Sequence, residues 1–253
     1  MTSSIDLNAD LGEMPESQDR DIAILDVVSS CNIACGGHAG DAASMAVMLE
    51  AAKTRGVATG AHPSYPDREN FGRRSLAIDG QALADSLREQ IEAFADAARA
   101  AGCAVHHVKP HGALYNDMAD DPVLARLVAR TSAEALPGTP LVGLAESAVD
   151  TAARNAGLPF IAEAFVDRAY TSTARLVPRS EKGAVISELS ARAAQALALA
   201  TGKPIRASDG SELHLSAATL CLHSDSDAAL QSAAAIRAAL EGAGLTIRTA
   251  TPR

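Results

Sequence analysis

Residues 5–13 read Ile-Asp-Leu-Asn-Ala-Asp-Leu-Gly-Glu, a short run in which apolar and polar side chains alternate. Alternation with a period of two is the pattern of a β-strand, and it places Asp6, Asn8 and Asp10 on one face. Similar short runs recur along the chain, and the segments between them have helical periodicity. We predict seven strands in this way, at residues 5–9, 30–34, 57–61, 104–109, 141–145, 160–164 and 217–222.

Strands that alternate with helices indicate a parallel sheet, because each crossover helix returns the chain to the same edge of the sheet. Asp121 followed by Pro122 is typical of a helix start, and residues 81–101 carry one apolar stripe. We predict an α/β fold, a (β/α)-type barrel of about seven parallel strands, in a single domain over residues 1–253. A doubly wound open sheet is the alternative, since strand order is not visible in a sequence.

Composition restricts the possible partners and the location of the protein. Of its 253 residues 47% are hydrophobic but only 3% are aromatic, so Ala, Leu and Val must fill most of the core. The net charge of −9, with no Lys/Arg run, argues against nucleic-acid binding. We see no secretory signal and no apolar stretch of about 18 residues, and the four cysteines are too sparse for a disulfide framework. We therefore expect a cytoplasmic protein with no membrane partner.

Polar side chains on a strand of a parallel sheet need an explanation, because both faces of such a sheet are covered and burial without partners is costly. Asp6, Asn8 and Asp10 are in this position, and Glu13 follows at the rim. The fourth predicted strand ends in Lys109, with His111 just beyond it. A buried ammonium group requires carboxylate partners, so we expect these charges to meet in one pocket. We interpret His106 as packed and His214 as a surface residue.

The loops after the second and third predicted strands also carry candidate ligand groups. Glycines let the backbone approach a ligand, and a helix N-terminus offers N–H groups to an anion. Arginine is well shaped to bind carboxylate or phosphate. The candidates in these loops and after the later strands are Asn32, Gly36, Gly37, His38, Asp41, His62, Arg73, Arg74, Glu163, Arg168 and His223. Residues 170–182 are irregular and rich in Arg and Ser, which is typical of a lid or an interface loop.

Several long segments of the chain resemble the LamB/YcsF lactam-utilisation family, to which the A-type subunits of 5-oxoprolinase belong. The matching runs lie in order over nearly the whole chain: IDLNADLGE at 5–13, CNIACGGHAGD at 31–41, GAHPSYPDRENFGRR at 60–74, VKPHGALYN at 108–116, EAFVDRAY at 163–170, LVPRS at 176–180 and LCLHSD at 220–225. The departures are few. Cys31 stands where the family usually has Ala, Ala169 where it often has Gly, and Ser224 where it usually has Gly.

The resemblance implies a barrel akin to those of glycoside hydrolases and deacetylases. It also implies ATP-dependent opening of the 5-oxoproline lactam to L-glutamate, with Mg²⁺ as the counter-ion of ATP and two other subunits as partners. We expect ATP to phosphorylate the lactam oxygen before water attacks. On this reading the catalytic residues are Asp6, Asn8, Asp10, His38, His62, Lys109 and His111. The substrate- or phosphate-binding residues are Glu13, Asn32, Gly36, Gly37, Asp41, Arg73, Arg74, Glu163, Arg168 and His223.

Two other functions remain open at this point. A metal-dependent hydrolase or deacetylase of a small amide would use Asp10, His62 and His111 as ligands, although no short histidine spacing supports it and we do not predict a tightly bound metal. A non-catalytic scaffold that presents partner subunits is the second alternative, since the chain has no P-loop or dinucleotide motif.

Overall fold

A computed structural model of the chain describes residues 4–222 and 229–251, and its centre is a closed ring of parallel strands. The ring runs in the order β1-β2-β3-β4-β5-β6-β9 and closes because β9 pairs with both β6 and β1. The strands are β1 (Ser4–Leu11), β2 (Ser30–Ala34), β3 (Ala58–His62), β4 (Val105–Val108), β5 (Leu141–Leu144), β6 (Phe160–Phe165), β7 (Ile205–Arg206), β8 (Glu212–Leu213), β9 (Thr219–Leu222) and β10 (Thr246–Ile247). The seven predicted strands are confirmed, and the barrel is closed, not an open sheet.

Three short strands were not predicted. β7 and β8 form a small antiparallel hairpin outside the ring, and β10 adds to the amino-terminal end of β1. Each of these strands has two residues, which is too short to produce a periodic signal in the sequence.

Helices follow most strands and cover the barrel: α1 (Gln18–Ile24), α2 (Ala42–Arg55), α3 (Gly80–Ala101), α4 (Gly112–Asp120), α5 (Pro122–Ala135), α6 (Ala148–Asn155), α7 (Leu189–Ala200) and α8 (Ala229–Gly242). The predicted start at Pro122 is confirmed, because the Asp121 side chain accepts hydrogen bonds from the Val123 and Leu124 N–H groups. Within the described residues, no helix combines the length and apolar character needed to cross a membrane.

The apolar core lies between the strands and the helices, and the barrel interior is polar. In β1, Ile5, Leu7, Ala9 and Leu11 are buried on the outward face and belong to the hydrophobic core. Each large apolar side chain buried in this way contributes roughly 1.5–3 kcal/mol. The alternate residues of β1 point inward, where Asp6 and Asn8 are shielded from solvent and must bond to other polar groups of the interior.

Two histidines lie outside the interior. His214 is exposed as predicted, but the prediction that His106 is packed is wrong, because it is exposed beside the amino-terminal end of the barrel. Its neighbour His107 points inward and is buried. His223, which was predicted to bind substrate or phosphate, lies outside the described residues.

Candidate functional site

A cavity of about 730 Å³ opens at the carboxyl ends of the barrel strands. Its wall combines side chains from β1, β3, β4 and β6 with the irregular segment at residues 170–182. The lining residues are Asp10, Glu13, His62, Arg73, Ser75, Lys109, Pro110, His111, Gly112, Ala113, Tyr115, Asn116, Asp117, Phe165, Arg168, Leu176, Val177, Pro178, Arg179 and Ser180. Active sites of (β/α) barrels lie at this end of the fold.

Lys109 lies at the floor of the cavity and is only 2% exposed. Its Nζ is 2.9 Å from Asp10 Oδ1 and 3.0 Å from Glu163 Oε1, and it also donates to Asn8 Oδ1 at 3.3 Å. Burial by itself would lower the pKa of Lys109, but Asp10 and Glu163 outweigh it and hold that pKa well above its usual value. The ammonium group is therefore charged at neutral pH and fixed in position.

Two histidines face each other beside this lysine. His62 Nδ1 is 2.7 Å from the carbonyl oxygen of Lys109, and His62 Nε2 is 3.0 Å from His111 Nδ1. The other nitrogen of His111, Nε2, is 3.1 Å from the carbonyl oxygen of Phe71. Phe71 has a φ of 56°, a left-handed conformation that is uncommon for a residue other than glycine. Backbone carbonyls therefore orient both imidazole rings.

Glu13 and His38 complete this cluster. Glu13 Oε1 is 3.2 Å from His111 Nδ1, 3.1 Å from His38 Nε2 and 3.8 Å from His62 Nε2. The rings of His38 and His111 stack with centroids 3.6 Å apart and planes 4° from parallel. Burial lowers the pKa of His38 to about 3 and also lowers that of His111, which favours the neutral form of both rings.

The same cluster contains the residues best placed to hold a metal ion. Glu13, His38, His62 and His111 each offer a ligand atom, and these atoms lie within 4.8 Å of one another. The metal set considered from the sequence was Asp10, His62 and His111. Asp10 lies beside the cluster, with Oδ2 3.5 Å from His62 Nε2, while its Oδ1 bonds to Lys109. Glu13 was predicted to bind substrate or phosphate, and His38 was predicted to be catalytic.

Asp6 lies away from the cavity, although it was predicted to be catalytic. Its carboxylate accepts hydrogen bonds from Ser29 (2.5 Å), Ser30 (2.8 Å) and Thr219 (2.6 Å), and burial raises its pKa. Asp6 and Asp10 are four residues apart on one strand, a separation of roughly 13 Å at the usual strand rise. Asp6 instead lines a separate cavity of about 220 Å³ that also contains His106. Its position indicates a structural role at the amino-terminal end of the barrel.

A ladder of hydrogen bonds connects the two ends of the interior. Asn8 donates to Thr219 (2.7 Å) and to Glu163 (2.8 Å). Asn32 donates to Asn8 (2.8 Å) and to Asp10 (2.7 Å), and it faces His107 Nε2 at 2.6 Å. Asn8, Asn32 and Glu163 therefore lie beneath the cavity floor, where they position Lys109 and Asp10.

Arg73, Arg168 and Arg179 bring positive charge to the lining, whereas Arg74 is exposed and lies outside it. Arg168 is 5% exposed and donates to the carbonyl oxygens of Val177 and Ala184, so it fixes the irregular segment against the barrel. Burial and the neighbouring Arg179 lower the pKa of Arg168.

The glycine loop after β2 has a different role from the one predicted. A Cβ on Gly37 would lie 2.3 Å from Gln90 Oε1, so this glycine permits close packing of the loop. Asp41 is exposed and caps α2 through the Ser44 N–H group, and Arg68 binds the carbonyl oxygen of Gly36. Gly36, Gly37 and Asp41 were predicted to bind substrate or phosphate, and all three lie outside the cavity lining.

Several lining residues were not identified from the sequence. The polar ones are Ser75, Tyr115, Asn116, Asp117, Arg179 and Ser180. Tyr115 and Asn116 lie in the run VKPHGALYN, and Arg179 and Ser180 in LVPRS. Both runs are part of the family resemblance, and that resemblance was the signal that could have identified these lining residues.

Comparisons with known proteins place the whole chain among one group of sequences. The LamB/YcsF family model matches residues 5–253. A curated protein of Chloroflexus aggregans, named as the A subunit of 5-oxoprolinase, is 47% identical over 97% of this chain and 98% of its own length. Its namesake from Bordetella pertussis is 43% identical over 99% and 100%. The crystal structure of a lactam utilization protein from Thermus thermophilus is 40% identical, with a TM-score of 0.89 over 97% of this chain and 99% of that one.

Proposed function

The chain belongs to the LamB/YcsF family, and on that premise we propose that it is the subunit of a 5-oxoprolinase that opens the lactam of 5-oxoproline to L-glutamate. The observation that carries the proposal is the buried Lys109, held between Asp10 and Glu163 at the floor of the large cavity. A fixed, charged donor in a sheltered site stabilises negative charge that develops on a substrate oxygen.

The cavity suits a small lactam that carries one carboxylate. Arg73, Arg168 and Arg179 can bind that carboxylate, and the lactam oxygen then faces Lys109. Asp10 lines the cavity beside Lys109 and supplies a carboxylate that can accept a proton from water and return one to the ring nitrogen. Bond breaking between C5 and the ring nitrogen yields the amine and the second carboxylate of glutamate.

The amide of a five-membered lactam is a weak electrophile, so we include ATP as co-substrate. Transfer of the γ-phosphoryl group from ATP to the lactam oxygen releases ADP and makes C5 electrophilic. Water then adds to C5, and the bond from C5 to the ring nitrogen breaks as that nitrogen takes up a proton, which leaves an acyl phosphate. A second water hydrolyses the acyl phosphate to glutamate and phosphate. The described lining carries a small net positive charge, because four cations face Asp10, Glu13 and Asp117. That balance favours the lactam and its phosphorylated form in this cavity, with ATP and its Mg²⁺ bound on the two partner subunits.

The test is glutamate release from 5-oxoproline and ATP by the complex reconstituted with its two partner subunits. We expect Lys109→Ala and Asp10→Asn to reduce the rate by about a hundredfold or more while the complex still assembles. His214→Ala, at an exposed position, is the matched control and should leave the rate unchanged. Parental turnover by an assembled Lys109→Ala complex would show that the site is wrong, and it would favour a non-catalytic scaffold.

A second candidate is a metal-dependent hydrolase of a small amide, which the Glu13–His62–His111 cluster favours. Such an enzyme would open the lactam, or cleave a related amide, without ATP or partner subunits. Assay of the isolated chain with added divalent metal and no nucleotide separates the two functions.

A further inference from the structure

The tautomers of two buried histidines follow from their backbone partners. A carbonyl oxygen only accepts hydrogen bonds, so His62 Nδ1 must carry the proton that it shares with the Lys109 carbonyl. By the same reasoning His111 Nε2 carries a proton toward the Phe71 carbonyl. The nitrogens that remain to accept an electrophile are therefore His62 Nε2 and His111 Nδ1, which bear the lone pairs of these tautomers.

These two lone-pair nitrogens are 3.0 Å apart, and Glu13 Oε1 lies 3.2 Å from one and 3.8 Å from the other. Three electron pairs that converge in a buried space repel one another unless a cation lies among them. Zinc–nitrogen and zinc–oxygen bonds of about 2.0–2.1 Å in a tetrahedron place neighbouring ligand atoms roughly 3.3 Å apart. The observed separations between these three ligand atoms, 3.0, 3.2 and 3.8 Å, lie around that value.

The partners of Glu13 differ from those of the two neighbouring carboxylates. Asp10 and Glu163 lie 2.9 Å and 3.0 Å from Lys109 Nζ, whereas the ion-pair contacts of Glu13 are with imidazole nitrogens. A buried carboxylate is paired with a cation or coordinates a metal, and a metal bound to these imidazoles would serve Glu13 in that way.

The ring of His38 does not have the orientation of a third histidine ligand. Its ring is parallel to that of His111 with centroids 3.6 Å apart, and a ligand nitrogen binds a metal in the plane of its ring. A single ion cannot lie in both parallel planes. His38 Nε2 instead lies 3.1 Å from Glu13 Oε1, where it orients that carboxylate.

We propose that Glu13, His62 and His111 bind a divalent transition-metal ion of the zinc class, with His38 as a positioning residue for Glu13. Two histidines and one glutamate form a ligand set of catalytic zinc sites, in which a further position stays open to water or substrate. The Lys109 and Phe71 carbonyls are the outer partners that fix the ligand tautomers. The inference deepens the second candidate function and does not depend on the first, and metal binding is measurable without turnover.

The experiment titrates the metal-stripped full chain with Zn²⁺ by calorimetry and with Co²⁺ by visible absorption. We expect a single equivalent of Zn²⁺ to bind and raise Tm, and Co²⁺ to develop the intense bands of a four-coordinate site. Glu13→Gln and His111→Ala should abolish the stoichiometric binding, and His38→Ala should weaken it by about 10–100-fold. Circular dichroism of the metal-free variants establishes that they are folded, and Glu13→Gln preserves side-chain size.

The double variant His106→Ala/His214→Ala is the control, because it removes exposed histidines that could bind metal adventitiously. It should bind like the parent. The proposal is overturned if folded parent protein takes up no stoichiometric Zn²⁺ or Co²⁺, which would mean that a proton lies between His62 and His111. It is equally overturned if Glu13→Gln and His111→Ala bind as the parent does. A bound metal with no 5-oxoprolinase activity would leave the site standing and remove only the proposed function.

Discussion

Replacement of Lys109 by methionine tests the electrostatic arrangement of the barrel floor. Methionine has a similar length but no charge, so Asp10 and Glu163 lose a partner that lies 2.9 Å from one and 3.0 Å from the other. The loss of one member of a buried charge group typically costs about 3–5 kcal/mol, because the remaining charges are uncompensated. Because Lys109 is only 2% exposed, we expect a destabilisation in this range.

The assay is denaturant unfolding, arranged as a double-mutant cycle with Glu163→Gln. The double variant Lys109→Met/Glu163→Gln should be more stable than Lys109→Met alone by roughly 1–3 kcal/mol, since it removes one of the two unpaired carboxylates. Lys53→Met is the matched control, because Lys53 is exposed and donates to the Ala101 carbonyl at the surface. It should cost less than about 1 kcal/mol. A Lys109→Met variant as stable as Lys53→Met, or a cycle with no coupling, would refute the reasoning.

Three further predictions concern packing, pH and a helix end. Gly60→Ala should destabilise the barrel by about 1–3 kcal/mol in thermal unfolding, because the new Cβ would lie 2.2 Å from His107 Nε2; unchanged Tm would contradict this packing. Burial raises the pKa of Asp21 to about 6, so the folded state holds a proton that the unfolded state has already released. Stability should therefore fall by roughly 3 kcal/mol as pH rises from about 4 to 6 and level off above that range, and Asp21→Asn, which keeps an acceptor for the Gly12 N–H, should remove that slope. Asp121→Ala should cost about 1 kcal/mol by denaturant unfolding through loss of the α5 cap, and a change below a few tenths would indicate that Pro122 alone fixes the helix start.

The sequence predicted the architecture well because the signals involved are local. Alternation in β1 and the helix start at Asp121 and Pro122 depend on residues within a few positions of one another. The family resemblance is confirmed by the model match over residues 5–253. The role of the loop after β2 was less visible, because whether Gly37 approaches a ligand or Gln90 depends on a helix more than fifty residues away.

The amino-acid sequence by itself determined that polar side chains of β1 point into a covered interior, since strand periodicity fixes which face each residue occupies. Only the tertiary structure decided their height along the barrel axis and their partners. Closure and the register of neighbouring strands set Asp6 beside Thr219 at one end, and Asp10 beside Lys109 and the Glu13–His62–His111 cluster at the other. Strand stagger is a global property of the closed sheet, so no local pattern encodes which of these residues share a level.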